Sequence, residues 1–164
     1  MSDKRVLLVT TGVSSVRQQL ESLCGGGLLS VDWSEMTRHD LFLHLRTLSY
    51  DILVTYRCPY ILPQDIIDRA AISALNIHPS LLPAYAGLNP WEEMIGNNEK
   101  NGGVTVHVLT ADADQGRIVR QESLDLDFSQ GLEYNRTRAD ELAGVMIRNL
   151  INVSSMKYKS LKIW

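Results

Sequence analysis

The stretch ALNIHPSLLPAYAGLNPW, Ala74–Trp91, decides how the chain is read. It begins apolar, with Ala74, Leu75 and Ile77 around Asn76, and runs straight into His78-Pro79. Pro83, Tyr85, Gly87, Pro90 and Trp91 follow. A short apolar run bounded by turn residues reads as a buried strand. Proline fixes its own φ, so the chain beyond that strand is stiff. An amide and an imidazole thus stand at the mouth of a strand, beside rigid backbone. In open α/β sheets, ligands bind beyond the carboxyl ends of the strands.

Working outward, strands and helices alternate. Arg5–Thr10 is a continuous apolar run, typical of a strand buried on both faces. Ser14 or Ser15 caps a helix through Leu23, with Val16, Leu20 and Leu23 at helical spacing, and Gly25-Gly26-Gly27 ends it. Leu28–Trp33 is a second strand. Thr37 or Asp40 opens a helix with Leu41, Leu45 and Leu48 on one face. Asp51–Tyr56 is a third strand, Pro63 to about Ala70 a short helix, and Ile72–Ile77 a fourth strand. Pro90–Asn97 begins helically, and Asn101-Gly102-Gly103 reads as a turn. Val104–Leu109 and Gly116–Leu126 are two further strands close together. Leu132–Val153 is the longest helical pattern, with Leu142, Val145, Met146, Leu150 and Ile151 on its apolar side. The pattern predicts one α/β domain over residues 1–164, with a mostly parallel sheet and an antiparallel edge.

Composition sets the bounds. Hydrophobic residues make up 45% of the 164 and charged residues 21%, as in a folded soluble domain. The net charge of −3 gives no basic footprint for nucleic acid. Cys24 and Cys58 form no CxxC pair. The apolar run in MSDKRVLLVTTG is too short for a signal-peptide core, and no segment has transmembrane length. The expectation is a cytoplasmic protein with reduced thiols and no membrane partner. The sequons at Asn135 and Asn152 read as chance. The basic tail Lys157–Trp164 fits an edge strand, a dimer contact or a loose end; the oligomeric state is open, a homodimer included.

Three polar residues fall beyond strand ends: Asn76, His78 and Asp114. Singly, each has an ordinary explanation. Asparagine bonds turn backbone, a histidine before proline sits in surface turns, and Asp112 and Asp114 suit loop solvation. His107 alternates within a strand, and Tyr60-Ile61-Leu62 reads as core. His78, His107 and Asp114 also make a two-histidine, one-carboxylate set of the kind that holds a metal.

In combination, NIHPSLLPAYAG (Asn76–Gly87) and GGVTVHVLTADADQG (Gly102–Gly116) resemble the folate-dependent formyltransferases. The resemblance rests on Asn-x-His leading to Leu-Leu-Pro, a Gly-x-Thr-x-His strand and an Asp-x-Gly loop, and it covers roughly Asp51–Gln121. It implies a Rossmann-like fold, a twisted sheet with helices on both faces. It implies that Asn76, His78 and Asp114 are catalytic, and that no metal takes part. A primary amine of a small molecule, an amino sugar nucleotide among the candidates, would attack the formyl carbon of 10-formyltetrahydrofolate through a tetrahedral intermediate. Asn76 and a protonated His78 would donate to its oxygen, and Asp114 would orient His78 and steer a proton relay. Tyr60, Ile61 and Leu62 would form the pterin side of the folate pocket. The loop Leu109, Thr110, Ala111, Asp112, Ala113 and Asp114 would close the other side. His107 would be a supporting or wall residue. Leu82–Pro83 would be cis.

The departures from that family narrow the expectation. Too few elements separate the first and third strands, as though one strand–helix unit were missing. TTGVSSVRQQL lacks the Gly-x-Gly-Ser-Asn loop with which ribonucleotide enzymes present amides to a phosphate, and Gly12, Ser14 and Ser15 would offer only a weaker version of it, which lowers without excluding glycinamide ribonucleotide as acceptor. The chain ends soon after its last helix, and with its acidic balance this argues against a tRNA acceptor. Trp91 reads as core ahead of a stacking platform. The alternatives are a glycinamide ribonucleotide transformylase-like activity, hydrolysis of formyltetrahydrofolate, and a shortened folate-binding domain without turnover.

Overall fold

The apolar runs set the sheet. In the computed structural model, which describes residues 4–157, β1 (Val6–Thr10) and β3 (Ile52–Tyr56) are buried at every position. With β2 (Leu28–Asp32), β4 (Ser73–His78), β5 (Asn101–Val108) and β6 (Ile118–Asp125) they form one six-stranded sheet, ordered β2-β1-β3-β4-β5-β6. β1 pairs in parallel with β2 and β3, and β3 with β4. β5 and β6 add an antiparallel edge. The strand order reverses at β1, which opens a crevice at the carboxyl ends of the parallel strands.

Helices cover both faces. α1 (Ser15–Cys24) and α5 (Leu132–Lys157) lie on one side, where Val16, Leu20, Met146 and Ile147 pack on Val6, Leu8, Ile52 and Val54. α2 (Arg38–Thr47) and α3 (Gln64–Ile67) lie on the other, where Leu41, Leu45 and Ile66 pack on Leu7, Val9 and Leu53. Each such buried side chain contributes roughly 1.5–3 kcal/mol of apolar transfer. Caps set the helix starts: the Ser14 hydroxyl accepts from the N–H of Arg17, and that of Thr37 from Asp40. α4 (Pro90–Gly96) begins with proline in its first turn. Trp91 and Met94 join the α1/α5 core, so Trp91 is a core residue with an edge on the cleft. No helix among the described residues is long and apolar enough to cross a membrane.

Four local expectations change. Asn101-Gly102-Gly103 is the start of β5 and not a turn. A Cβ on Gly103 would lie 2.3 Å from the Glu122 carbonyl oxygen, so the glycine answers to close strand approach. Trp33 leaves the β2 strand, because the Asp32 carboxylate accepts from Ser34 and starts a tight turn, Trp33–Glu35. Val145 is 49% exposed; the buried stripe of α5 runs through Ala139, Ala143, Met146, Ile147 and Ile151. The helical turn at α3 ends by Ile67, short of Ala70. The tail beyond Lys157 lies outside the described residues.

Candidate functional site

Side chains alternate across a strand. Leu75 and Ile77 of β4 therefore enter the α1/α5 core, while Asn76 and His78 face the other side. Register then lines up two polar rows. Thr55, Asn76 and His107 are lateral neighbours on β3, β4 and β5. His78 lies opposite Thr105, which lies opposite Gln121.

The first row orients the amide. Thr55 Oγ1 donates to Asn76 Oδ1 at 2.7 Å, so the Asn76 NH2 points the other way. It meets His107 Nε2 at 3.0 Å and lies 3.5 Å from Asp114 Oδ1. His107 Nδ1 is 2.9 Å from the Val108 carbonyl, which can only accept, so Nδ1 carries a proton. With the ring neutral, Nε2 accepts from Asn76. Protonated, the same nitrogen faces Asp114 Oδ1 at 3.4 Å.

The same logic fixes His78. Its Nε2 is 2.7 Å from the Tyr85 carbonyl and must donate to it. Only Nδ1 remains to exchange a proton, and it faces Asp114 Oδ2 at 3.5 Å. This refines the role expected for His78, which is 5% exposed: one of its two nitrogens is committed to backbone.

Asp114 is held in the left-handed region, at φ 55. A non-glycine residue there is strained, and such strain gathers at functional sites. The N–H of Gly87 donates to its Oδ2 at 2.8 Å. Burial pushes the carboxyl up. The hydrogen bond from His107, that from Gly87 and the charges of the two imidazoles outweigh it and hold Asp114 below the usual carboxylate range.

The second row anchors the proline-rich loop. Thr105 Oγ1, fully buried, donates to the Ser80 carbonyl at 2.6 Å and accepts from the Leu82 N–H at 3.1 Å. Gln121 Nε2 donates to the Leu82 carbonyl at 2.7 Å and to Thr105 Oγ1 at 2.9 Å. Ser80 Oγ donates to the carbonyls of Ala84 and Tyr85. Tyr85, at φ 57, then presents its carbonyl to His78. Leu82–Pro83 is cis. Beyond β5, a Cβ on Gly116 would lie 1.7 Å from the Val108 carbonyl, so only glycine lets the Asp114 loop turn back.

Asn76, His78, His107 and Asp114 line a cleft of about 550 Å³. Of the residues expected to form a folate pocket, Tyr60, Ile61, Leu109, Thr110 and Ala113 line it too. Leu62 does not: it is 1% exposed in the α2/α3 core. Ala111 and Asp112 are exposed and lie outside the lining. Tyr60 is held edge-on by Trp33 and Phe42, with ring centroids 5.7 and 6.5 Å away. The size and apolar wall of the cleft suit a ring-bearing small molecule, and its few convergent polar groups suit orienting one.

Sequence reasoning missed Thr55, Tyr85, Gly87 and Gln121. Gly87 sat in the quoted stretch, and Thr105 in the Gly-x-Thr-x-His pattern. Nothing in sequence spacing points to Gln121, which reaches the loop across two strands.

The sequence model of the Formyl transferase family matches residues 17–149. Phosphoribosylglycinamide formyltransferase of Haemophilus influenzae is 36% identical over 98 residues, 60% of this chain and 46% of that protein. Methionyl-tRNA formyltransferase of Thermotoga neapolitana is 28% identical over 121 residues, 74% of this chain and 39% of that protein. The chain thus spans less than half the length of either relative. The crystal structure of glycinamide ribonucleotide transformylase 1 from Symbiobacterium toebii superposes with a TM-score of 0.73 at 20% identity, covering 95% of this chain and 90% of that one. That likeness is one of fold.

Proposed function

Because the chain belongs to the formyl transferase family, we propose that residues 1–164 form one catalytic domain that moves a formyl group from 10-formyltetrahydrofolate to a primary amine of a small molecule. The observation that carries this reading is the convergence of Asn76, His78 and Asp114 on one cleft, with His78 Nδ1 facing a carboxylate held ionised. Tyr60, Ile61 and Leu109 are the apolar wall for the pterin. The folate supplies a formyl carbonyl whose oxygen gains negative charge as the amine attacks.

The residues of the chain divide the remaining work. One Asn76 N–H meets His107 Nε2, and the amide makes only a long contact, 3.5 Å, with Asp114 Oδ1, which the carbonyl oxygen would replace as acceptor. A well-placed donor of this kind is worth about 10²–10³ in rate. His78 Nδ1 takes the proton that the attacking amine sheds, and Asp114 Oδ2 stabilises the resulting imidazolium. That proton returns to the folate nitrogen as it leaves, so the balance closes with no other reactant.

The test is the absorbance change of 10-formyltetrahydrofolate with and without a panel of primary amines. Loss of the formyl group that requires one amine is the expected result. Formate release without any amine would replace transfer with hydrolysis. Folate binding with no turnover over the whole panel would leave a binding domain.

A further inference from the structure

We propose that the cleft is closed to phosphate at its β1–α1 corner, so that the amine acceptor carries no phosphate there, and that Asp140 with Asp32 decides this. The inference rests on the formyl-transfer reading for the word acceptor, but the state of the corner can be read without turnover.

The first strand–helix loop of a doubly wound sheet is a natural anion site. Its backbone N–H groups and the amino end of the helix point at the ligand. In this chain three of those donors are already taken. The N–H of Gly12 donates to Asp32 Oδ2 at 3.0 Å. The N–H of Ser15, the first residue of α1, donates to Asp140 Oδ2 at 2.6 Å. The N–H of Arg17 goes to the Ser14 hydroxyl at 3.2 Å. Two carboxylates of the chain therefore occupy the loop, from β2 on one side and α5 on the other.

Packing holds the second carboxylate in place. Asp140 and Gly144 lie one turn apart on α5. A Cβ at Gly144 would sit 2.9 Å from the Ser15 carbonyl carbon and oxygen, so α1 and α5 touch backbone to backbone. The Asp140 side chain is 13% exposed, and the Arg57 Nη2 group stands 3.4 Å from its Oδ1. Arg57 and Ala139 both line the cleft, so the Arg57–Asp140 pair connects the cleft wall to the carboxylate at the loop. A negative carboxylate at a helix amino end is itself favourable. An incoming phosphate would have to displace it while meeting Asp32, which the Ser34 hydroxyl and N–H and the Gly12 N–H hold at a pKa of about 2. A nucleotide-bearing acceptor fits only if its phosphates lie away from this corner.

The experiment is a titration of the whole chain with inorganic phosphate, followed by the backbone amide resonances of Gly12 and Ser15. Wild type is expected to show no saturable shift at millimolar phosphate. Asp140→Ala is expected to gain one, with binding tighter by about tenfold or more, as removal of a like charge at a helix amino end allows. Saturable binding by wild type at those two amides overturns the proposal. A folded Asp140→Ala chain that stays silent overturns the assignment to Asp140. Should that variant not fold, the wild-type titration decides alone. A wild type that transfers formyl and binds phosphate at the loop sinks this inference and spares the function. One that does neither sinks the function and spares the closed corner.

Discussion

The carboxyl ends of β1 and β4 lie two strands apart in one sheet and use the same chemical group in opposite ways. At β1, Asp32 and Asp140 accept from the backbone N–H groups of Gly12 and Ser15. At β4, Asp114 gives one oxygen to the Gly87 N–H, yet both its oxygens also face imidazoles or an amide. Backbone donors cannot change protonation, so the carboxylates at β1 cap and close. Imidazoles can, so the carboxylate at β4 is able to help move a proton. What a carboxylate does here follows from what it faces.

The largest effects that would break this contrast are at β4. His78→Ala or Asp114→Asn is expected to lower turnover by about 10²–10⁴ with the fold retained. Single-turnover assays beside thermal melts check this, and wild-type rates in either variant would remove the proposed proton path. Asn76→Ala should cost somewhat less, about 10²–10³, through the lost oxyanion donor. Because Asn76, His107 and Asp114 touch, Asn76→Ala combined with Asp114→Asn should cost less than the two separate losses multiplied together.

Next in size is the support beneath His78. Thr105→Val leaves the Ser80 carbonyl and Leu82 N–H short of a partner, at a cost of about 1–3 kcal/mol. The loop would then hold the Tyr85 carbonyl less firmly, and kcat should fall more than KM rises. A variant that loses stability while keeping its kcat would show that the loop anchors the fold without positioning the imidazole.

The smallest effect belongs to β1. The folded pKa of Asp32 lies at about 2, below its ordinary 3.8. A depressed carboxyl contributes stability above the unfolded pKa and loses it as pH falls through the folded one. Asp32→Asn should therefore melt lower than wild type at neutral pH, and the gap should close between about pH 4 and about pH 2. A gap independent of pH would mean that Asp32 acts through its shape and not its charge.

Much of this was legible in the chain because the physics is local. Unbroken apolar runs announce doubly covered strands, as at Val6–Thr10 and Ile52–Tyr56. Asn-x-His puts two polar side chains on one face of a strand whatever the rest of the fold does. The errors came where local signals are ambiguous. Glycines at 102 and 103 mark either a turn or a close strand, and only the neighbouring strand distinguishes them. Leu62 stood in the right motif but points into the core. Val145 fits an apolar face on paper, yet α5 is rotated so that Met146 and Ile147 face the sheet.

By itself, then, the sequence determined the order of elements, the position of Asn76 and His78 at a strand end, and the need for glycine and proline around them. Those follow from side-chain alternation, apolar periodicity and backbone restriction, which act within a few residues. Tertiary structure alone decided which nitrogen of His78 is free, which way the Asn76 amide points, that Gln121 holds the proline loop, and that Asp140 seals the amino end of α1. Each depends on groups far apart in the chain, from 7 residues between His78 and Tyr85 to 125 between Ser15 and Asp140. Hydrogen-bond partners are chosen by distance in space, and no periodicity along the chain records that.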